Sequence, residues 1–241
     1  MKRARALDEA LASEYARTHT KIPVPRVLDA VPNPGDSDGR SWIFLTDYVK
    51  GTPLWVPGIG HRLSNASQDE LALVTTTITA WVAQLRNLRS PYGPRVCGFS
   101  GGPFISYRVF QSGKPIGPFE NTAQLHAQTF CTVLPAELEL ASSELKAFIA
   151  DRHLRGYEIK FTHGDIMLHN IIADENLKPV ALVDWECAGW MPEYWEKASS
   201  LRGAFMHMWC WEGIAQNAFE PKYEDDMAVE ELVQLEYDGV Y

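Results

Sequence analysis

The side chains that could do chemistry concentrate in the stretch 161–190, FTHGDIMLHNIIADENLKPVALVDWECAGW: Asp165, Asn170, Asp184 and Glu186, with His163 and His169 among them. A carboxylate in a loop can accept a proton from a hydroxyl. An amide oxygen with a second carboxylate supplies hard oxygen ligands, which Mg²⁺ takes together with phosphate oxygens. Phosphoryl transfer needs that combination: an acid that orients or deprotonates the acceptor hydroxyl, and metal ions bridging the nucleotide phosphates. A competing use of the same stretch is a metal hydrolase with His163, Asp165, His169 and Asp184 as ligands. No second His-x-Asp or Asp-rich cluster accompanies that set, and it would leave Asn170 idle.

The elements around these residues must bring them together. Ile171 and Ile172 on one side and Val180 to Val183 on the other are short apolar, β-branched runs, which read as buried strands. Asp174, Glu175, Asn176, Lys178 and Pro179 supply a turn between them. The expected hairpin puts Asp165 and Asn170 in the loop before its first strand and Asp184 at the end of its second. One cleft could then hold all three polar groups.

Asn170 stands five positions after Asp165, the Asp-to-Asn spacing of the H-R-D-x-x-x-x-N loop of protein kinases, and Asp184 then takes the place of the metal-binding Asp of D-F-G. His163-Gly164-Asp165 with Asn170, followed by Asp184-Trp185-Glu186, resembles the signature of the aminoglycoside phosphotransferase and choline kinase superfamily. The run DWECAGWMPEYWE (184–196) resembles a DWE-AGW-PEYWE pattern of its broader phosphotransferase-like members. Ile22-Pro23-Val24-Pro25 and Asp47-Tyr48-Val49-Lys50-Gly51 match further upstream, so the resemblance extends from about Glu9 to about Glu231.

The resemblance implies an α+β, protein-kinase-like fold of two lobes: a truncated N-lobe with a hinge strand over 1–48 and a mostly helical C-lobe over 49–241. It implies ATP- and Mg²⁺-dependent phosphorylation of a hydroxyl on a small molecule. Asp165 would accept or orient the hydroxyl proton and His163 would brace its loop. Asn170 and Asp184 would hold Mg²⁺, with Glu186 in support. Asp47 and Val49 would contact adenine where a strand runs into the hinge, and Glu9 would pair with a nucleotide-binding lysine. Only Lys2 precedes Glu9, in no strand-like context, and no glycine precedes it. The expectation is therefore that the Gly-rich loop and lysine strand are missing, through truncation or an internal start. Weak ATP binding and an open sheet edge at 27–31 and 42–45 would follow. The alternative to an enzyme is a catalytically impaired, pseudokinase-like binding protein.

Composition narrows the class. The 241 residues are 46% hydrophobic and 22% charged, as in globular domains, and no apolar run approaches the ~20 residues of a membrane span. A net charge of −9 argues against nucleic acid, whose phosphates call for a basic patch; it is compatible with a cationic substrate. The four cysteines show no metal-binding spacing, which fits a reducing, cytoplasmic setting.

Elsewhere, Leu7, Leu11 and Tyr15 recur at helical spacing. Ser67 with Glu70 forms a capping box before a helix whose apolar face is Leu71, Val74, Ile78, Trp81, Leu85 and Leu88. The Gly- and Pro-dense segment 90–119 reads as a long loop, a usual place for substrate contacts. Helices are expected over 119–134 and 136–151. Tyr194, Trp195, Phe205, Trp209 and Trp211 could cage a quaternary ammonium, and Glu224, Asp225, Asp226, Glu230 and Glu231 read as an acidic helix face.

Overall fold

Strand pairing near the N-terminus sets the first layer. The computed structural model describes residues 2–4, 7–36, 41–107, 114–131, 143–202, 209–219 and 223–228. Strands β1 (Lys2–Ala4), β2 (Val27–Pro32) and β3 (Trp42–Thr46) form an antiparallel sheet in the order β1-β3-β2. This corrects two expectations. Lys2 does stand in a strand, opposite Phe44 in register. β3 is the central strand, paired on both sides, so it presents no open edge. The turn before β3 closes on side chains: Asn33 Oδ1 accepts from Gly35 N at 3.1 Å and Asp36 Oδ2 from Ser41 N at 2.6 Å.

Helix α1 (Asp8–His19) packs beside this sheet. Its buried residues are Glu9, Ala10, Ala12, Ser13 and Ala16, whereas Leu11 is exposed. The face drawn from Leu7, Leu11 and Tyr15 is thus displaced: small side chains let the helix axis approach closely, and the core takes the alanine face. Extended by its prolines, the segment 22–25 then crosses to the second layer, where Pro23 O accepts from Leu182 N at 2.9 Å.

The second layer is the expected hairpin, β9 (Ile171–Ala173) against β10 (Pro179–Leu182), with β4 (Thr52–Pro53) on its other side. Beyond β4, β5 (Trp55–Val56) and β6 (Gly60–His61) form a small ribbon. A third sheet runs β7-β11-β8, from Cys97–Gly98, Gly189–Pro192 and Ile159–Thr162. Helix α2 (Gln68–Arg86) carries the expected capping box and buries Val74, Ile78, Trp81, Val82 and Leu85. It lies against β8 and α6 (Trp209–Ala218). Helices α3 (Thr122–Cys131), α4 (Ser143–Leu154) and α5 (Trp195–Arg202) complete the described elements. Asn121 opens α3, its Oδ1 accepting from Gln124 N at 2.9 Å, so the helix begins three residues later than expected; part of the second expected helix, 136–142, lies outside the described residues.

The main apolar core joins α1 to the second and third sheets: Ala12 and Ala16 of α1, the α2 face, Ile171 and Leu182 of the hairpin, and Trp185, Trp190 and Trp211, while Phe44 of β3 packs with Ala10 of α1. At roughly 1.5–3 kcal/mol for each fully buried large apolar side chain, this core holds the hairpin in place, and with it the loops at its ends. Among the described residues no helix is long and apolar enough to cross a membrane.

Candidate active site

Asp165 and Asn170 are joined directly. Asn170 Nδ2 donates to Asp165 O at 2.9 Å and to Asp165 Oδ2 at 2.8 Å. Both amide hydrogens are thereby used, which fixes the amide orientation and leaves the carbonyl oxygen of Asn170 as the atom a cation could take. His169 Nε2 lies 3.4 Å from the same Oδ2. Its ring meets Trp55 edge to face at 6.1 Å. Among the described residues Asp165 Oδ1 takes no hydrogen bond or ion pair, so it is the oxygen open to a substrate hydroxyl.

The hairpin delivers Asp184 to the same place. Val183 N donates to Asn170 O at 3.0 Å, tying the end of β10 to the loop before β9. Asp184 itself has φ 68, a left-handed conformation that Asp and Asn tolerate better than other side-chain-bearing residues. That turn brings Asp184, Glu186 and the buried Glu9 of α1 together: their carboxylate oxygens all lie within 4.8 Å of one another. Glu9 is therefore no solvated helix residue. Oxygens opposite one another on Mg²⁺ stand roughly 4.2 Å apart at metal–oxygen distances of about 2.1 Å, so a hard cation fits this all-oxygen set after a small closure.

His163 is completely buried. Its Nδ1 accepts from Asp165 N at 3.2 Å, and its Nε2 stands 3.1 Å from Val183 O. A backbone amide only donates and a carbonyl only accepts, so the ring is the neutral tautomer with its proton on Nε2. With both nitrogens on the backbone and Trp185 edge-on at 4.5 Å, His163 braces the loop and is closed to metal. The hydrolase ligand set consequently does not assemble.

Two further residues build the loop. Gly164 has φ +82, and a Cβ there would stand 2.6 Å from Cys187 O, so the loop of Asp165 and the turn after Asp184 touch backbone to backbone. Glu196, at the start of α5, is buried and accepts from His163 N at 2.7 Å and Gly164 N at 2.9 Å. Burial pushes its carboxyl up to about 7, against the opposing pull of Arg86 and the two amides. No role for Glu196 emerges from the sequence, although it closes the PEYWE run; a lone glutamate in an aromatic helix gives no signal of where its carboxylate ends. Tyr107, from the 90–119 segment, is equally hidden in the sequence, and its hydroxyl donates to Glu186 Oε1.

At the strand exit, Asp47 N donates to Arg26 O at 3.0 Å, leaving the Asp47 carbonyl as its outward backbone group. Asp47 is exposed and Val49 half-buried.

Neither of two alternative recognition surfaces forms among the described residues. Tyr194, Trp195 and Trp211 are fully buried core, and the cation over Tyr194 is the chain's own Arg152 at 4.0 Å; Phe205 and the side chain of Trp209 lie outside the described residues. In the acidic segment, Asp226 is buried against Arg152 at 3.3 Å, Asp225 pairs with Arg155 at 3.2 Å and Glu224 pairs with Lys197. Glu230 and Glu231 lie outside the described residues.

Comparison with known proteins follows this geometry. The phosphotransferase enzyme family matches residues 2–228. The chain is similar in structure, at 15% identity and a TM-score of 0.62, to a thermostable mutant of aminoglycoside phosphotransferase APH(4)-Ia in ternary complex with AMP-PNP and hygromycin B, covering 98% of this chain and 79% of that one. A type VIII aminoglycoside-3'-phosphotransferase matches at 18% identity and TM-score 0.52, covering 95% and 79%. The GDP complex of aminoglycoside 2'-phosphotransferase-IIIa matches at 12% and 0.50, covering 97% and 83%. No curated protein matches the chain significantly by sequence. These likenesses establish an α+β, kinase-like fold.

Proposed function

This chain belongs to the phosphotransferase enzyme family, and from that premise we propose that it transfers the terminal phosphoryl group of ATP, with Mg²⁺, to a hydroxyl on a small molecule. The observation that carries the reading is the double contact of Asn170 Nδ2 with Asp165. It commits one carboxylate oxygen, leaves the other for the acceptor hydroxyl, and leaves the amide oxygen as the atom a cation could take, on a residue whose backbone carbonyl accepts from Val183, next to Asp184. Asp165 orients the hydroxyl and takes its proton. Asn170 and Asp184 hold the cation, with Glu186 beside them, and His163 keeps the loop in register. Bound Mg²⁺ would bridge phosphate oxygens and offset the charge that develops on them.

In the same reading, 1–48 is the nucleotide-side lobe and 49–241 the lobe that carries Asp165. Asp47 and Val49, at the strand exit, would contact the adenine. The strand preceding α1 carries Lys2, opposite Phe44 in register, and Phe44 packs with Ala10, next to Glu9; that is the strand position from which a lysine ahead of Glu9 is called for. The structural relatives held AMP-PNP with hygromycin B, or GDP, which supports a nucleotide donor and a small-molecule acceptor. A net charge of −9 favours a cationic acceptor over an anionic one, and the cytoplasm is where ATP is at hand.

The test is transfer of label from γ-labelled ATP, with Mg²⁺, across a panel of hydroxylated small molecules. Asp165→Asn should lose at least about a hundredfold in rate, within the range of general-base catalysis, while its circular dichroism is unchanged. Near-normal transfer by that variant overturns the assignment. Tight Mg²⁺–ATP binding with no transfer to any acceptor would favour the binding-protein alternative.

A further inference from the structure

We propose that Tyr107 is a positioning residue for the cation site, its phenol holding Glu186 beside Asp184 and tying the 90–119 segment to metal binding. The inference rests on the phosphotransferase reading in taking Asp184 as a metal ligand. Tyr107 is anchored at two adjacent points. Its hydroxyl donates to Glu186 Oε1, and its backbone lies close enough to Cys187, the next residue, to act on that thiol electrostatically. Cys187 is buried, and its carbonyl abuts Gly164, so Tyr107 is fixed to the contact between the Asp165 loop and the Asp184 turn. The segment behind it is firm. Phe104 and Ile116 exchange backbone hydrogen bonds at 2.9 Å each, and Val96 and Phe119 do so at 2.9 and 2.8 Å.

The chemistry of the donor matters. A tyrosine hydroxyl is neutral near pH 7, with an ordinary pKa of about 10. It orients a carboxylate without cancelling its charge, whereas a lysine or arginine in its place would supply the very charge a bound cation should supply. With Oε1 held by the phenol, Glu186 is oriented toward Asp184 and Glu9, whose oxygens stand within 4.8 Å. Groups that orient metal ligands in this way typically contribute 10–100-fold to metal affinity. The ring of Tyr107 is 39% exposed, so Tyr107→Phe removes one oxygen and opens no buried void.

The experiment measures Mn²⁺ binding to the full chain by electron paramagnetic resonance without nucleotide, in wild type, Tyr107→Phe, Glu186→Gln, the double variant and Asp184→Asn, with thermal melts checking each fold. Tyr107→Phe should weaken Mn²⁺ about tenfold or more and cause no further loss in the Glu186→Gln background. Unchanged affinity in Tyr107→Phe, or the same loss in both backgrounds, overturns the proposal. Asp184→Asn separates the two failures. If it loses Mn²⁺ while Tyr107→Phe does not, only the positioning role falls. If it binds as wild type does, or wild type binds no Mn²⁺, the metal reading falls and the Tyr107 role with it.

Discussion

Two groups of acids in this chain have opposite fates. Glu224, Asp225 and Asp226 are consecutive in sequence, and each ends on a cation of the chain itself: Lys197, Arg155 and Arg152. Glu9, Asp184 and Glu186 are spread over most of the chain, yet their oxygens gather within 4.8 Å, and the side chain that reaches Glu186 from the 90–119 segment is a neutral phenol. Adjacency along the chain built a neutralised, structural grouping. Convergence in space built an all-oxygen grouping of the kind a hard cation takes. In the first group carboxylates hold helices together; in the second they meet from α1 and from the turn after β10.

The largest expected effects separate these roles. Asp184→Asn keeps a residue that tolerates φ 68 and removes one of the three carboxylates that converge there. Mg²⁺-dependent nucleotide binding should vanish, while the metal-free protein should keep its stability to within about 1 kcal/mol. A larger loss of stability instead would place Asp184 with the structural acids. Asp226→Ala should do the reverse. It removes the ion-pair partner of Arg152, whose side chain is 1% exposed, and takes the acceptor from the Tyr157 hydroxyl. Breaking a buried pair in this way costs about 3–5 kcal/mol, read as a fall in denaturant midpoint with nucleotide affinity per folded molecule unchanged.

Glu196 stands between the two groups, structural in its contacts but set against the active loop. Its carboxyl is raised to about 7 in the fold from an ordinary value near 4.3. The native state therefore holds a proton that the unfolded chain releases at a lower pH. Its contribution to stability is complete below about pH 4.3 and is lost as pH rises to about 7, on the order of 3 kcal/mol for such a shift. Glu196→Gln, which cannot titrate, should flatten that slope in urea melts recorded across the interval. An unchanged slope would mean that the carboxyl is not raised. The smallest effect belongs to Asp225→Asn. Its side chain is 72% exposed, so the pair with Arg155 should be worth less than about 1 kcal/mol, and a larger loss would show a tighter network than the geometry gives.

What could be read from sequence follows from the range of each contact. The hairpin, the Asp165-to-Asn170 spacing and the face of α2 are local patterns: alternation, turn residues, a capping box and helical periodicity act within a few residues, so the sequence displays them directly. Glu9, Glu196 and Tyr107 are set by pairing between segments far apart, and none has a local signature. Leu11 was drawn inside by periodicity because large apolar residues are expected to face a core; close helix approach favoured Ala12 and Ala16 instead. Three residues at 2–4 are too short to announce a strand, and β1 exists because β3 offers it an edge. The acidic run at 224–226 looks like a solvated face because its partners, Arg152, Arg155 and Lys197, lie elsewhere in the chain.

The most direct test of the central claim is calorimetric titration of ATP into the full chain, with Mg²⁺ and again with the cation chelated, in wild type, Asp184→Asn and His169→Ala. Wild type and His169→Ala should bind ATP only with Mg²⁺, and Asp184→Asn should not bind under either condition. Equal loss in His169→Ala and Asp184→Asn, or ATP binding by wild type that ignores Mg²⁺, would contradict a phosphotransferase site built on Asn170 and Asp184.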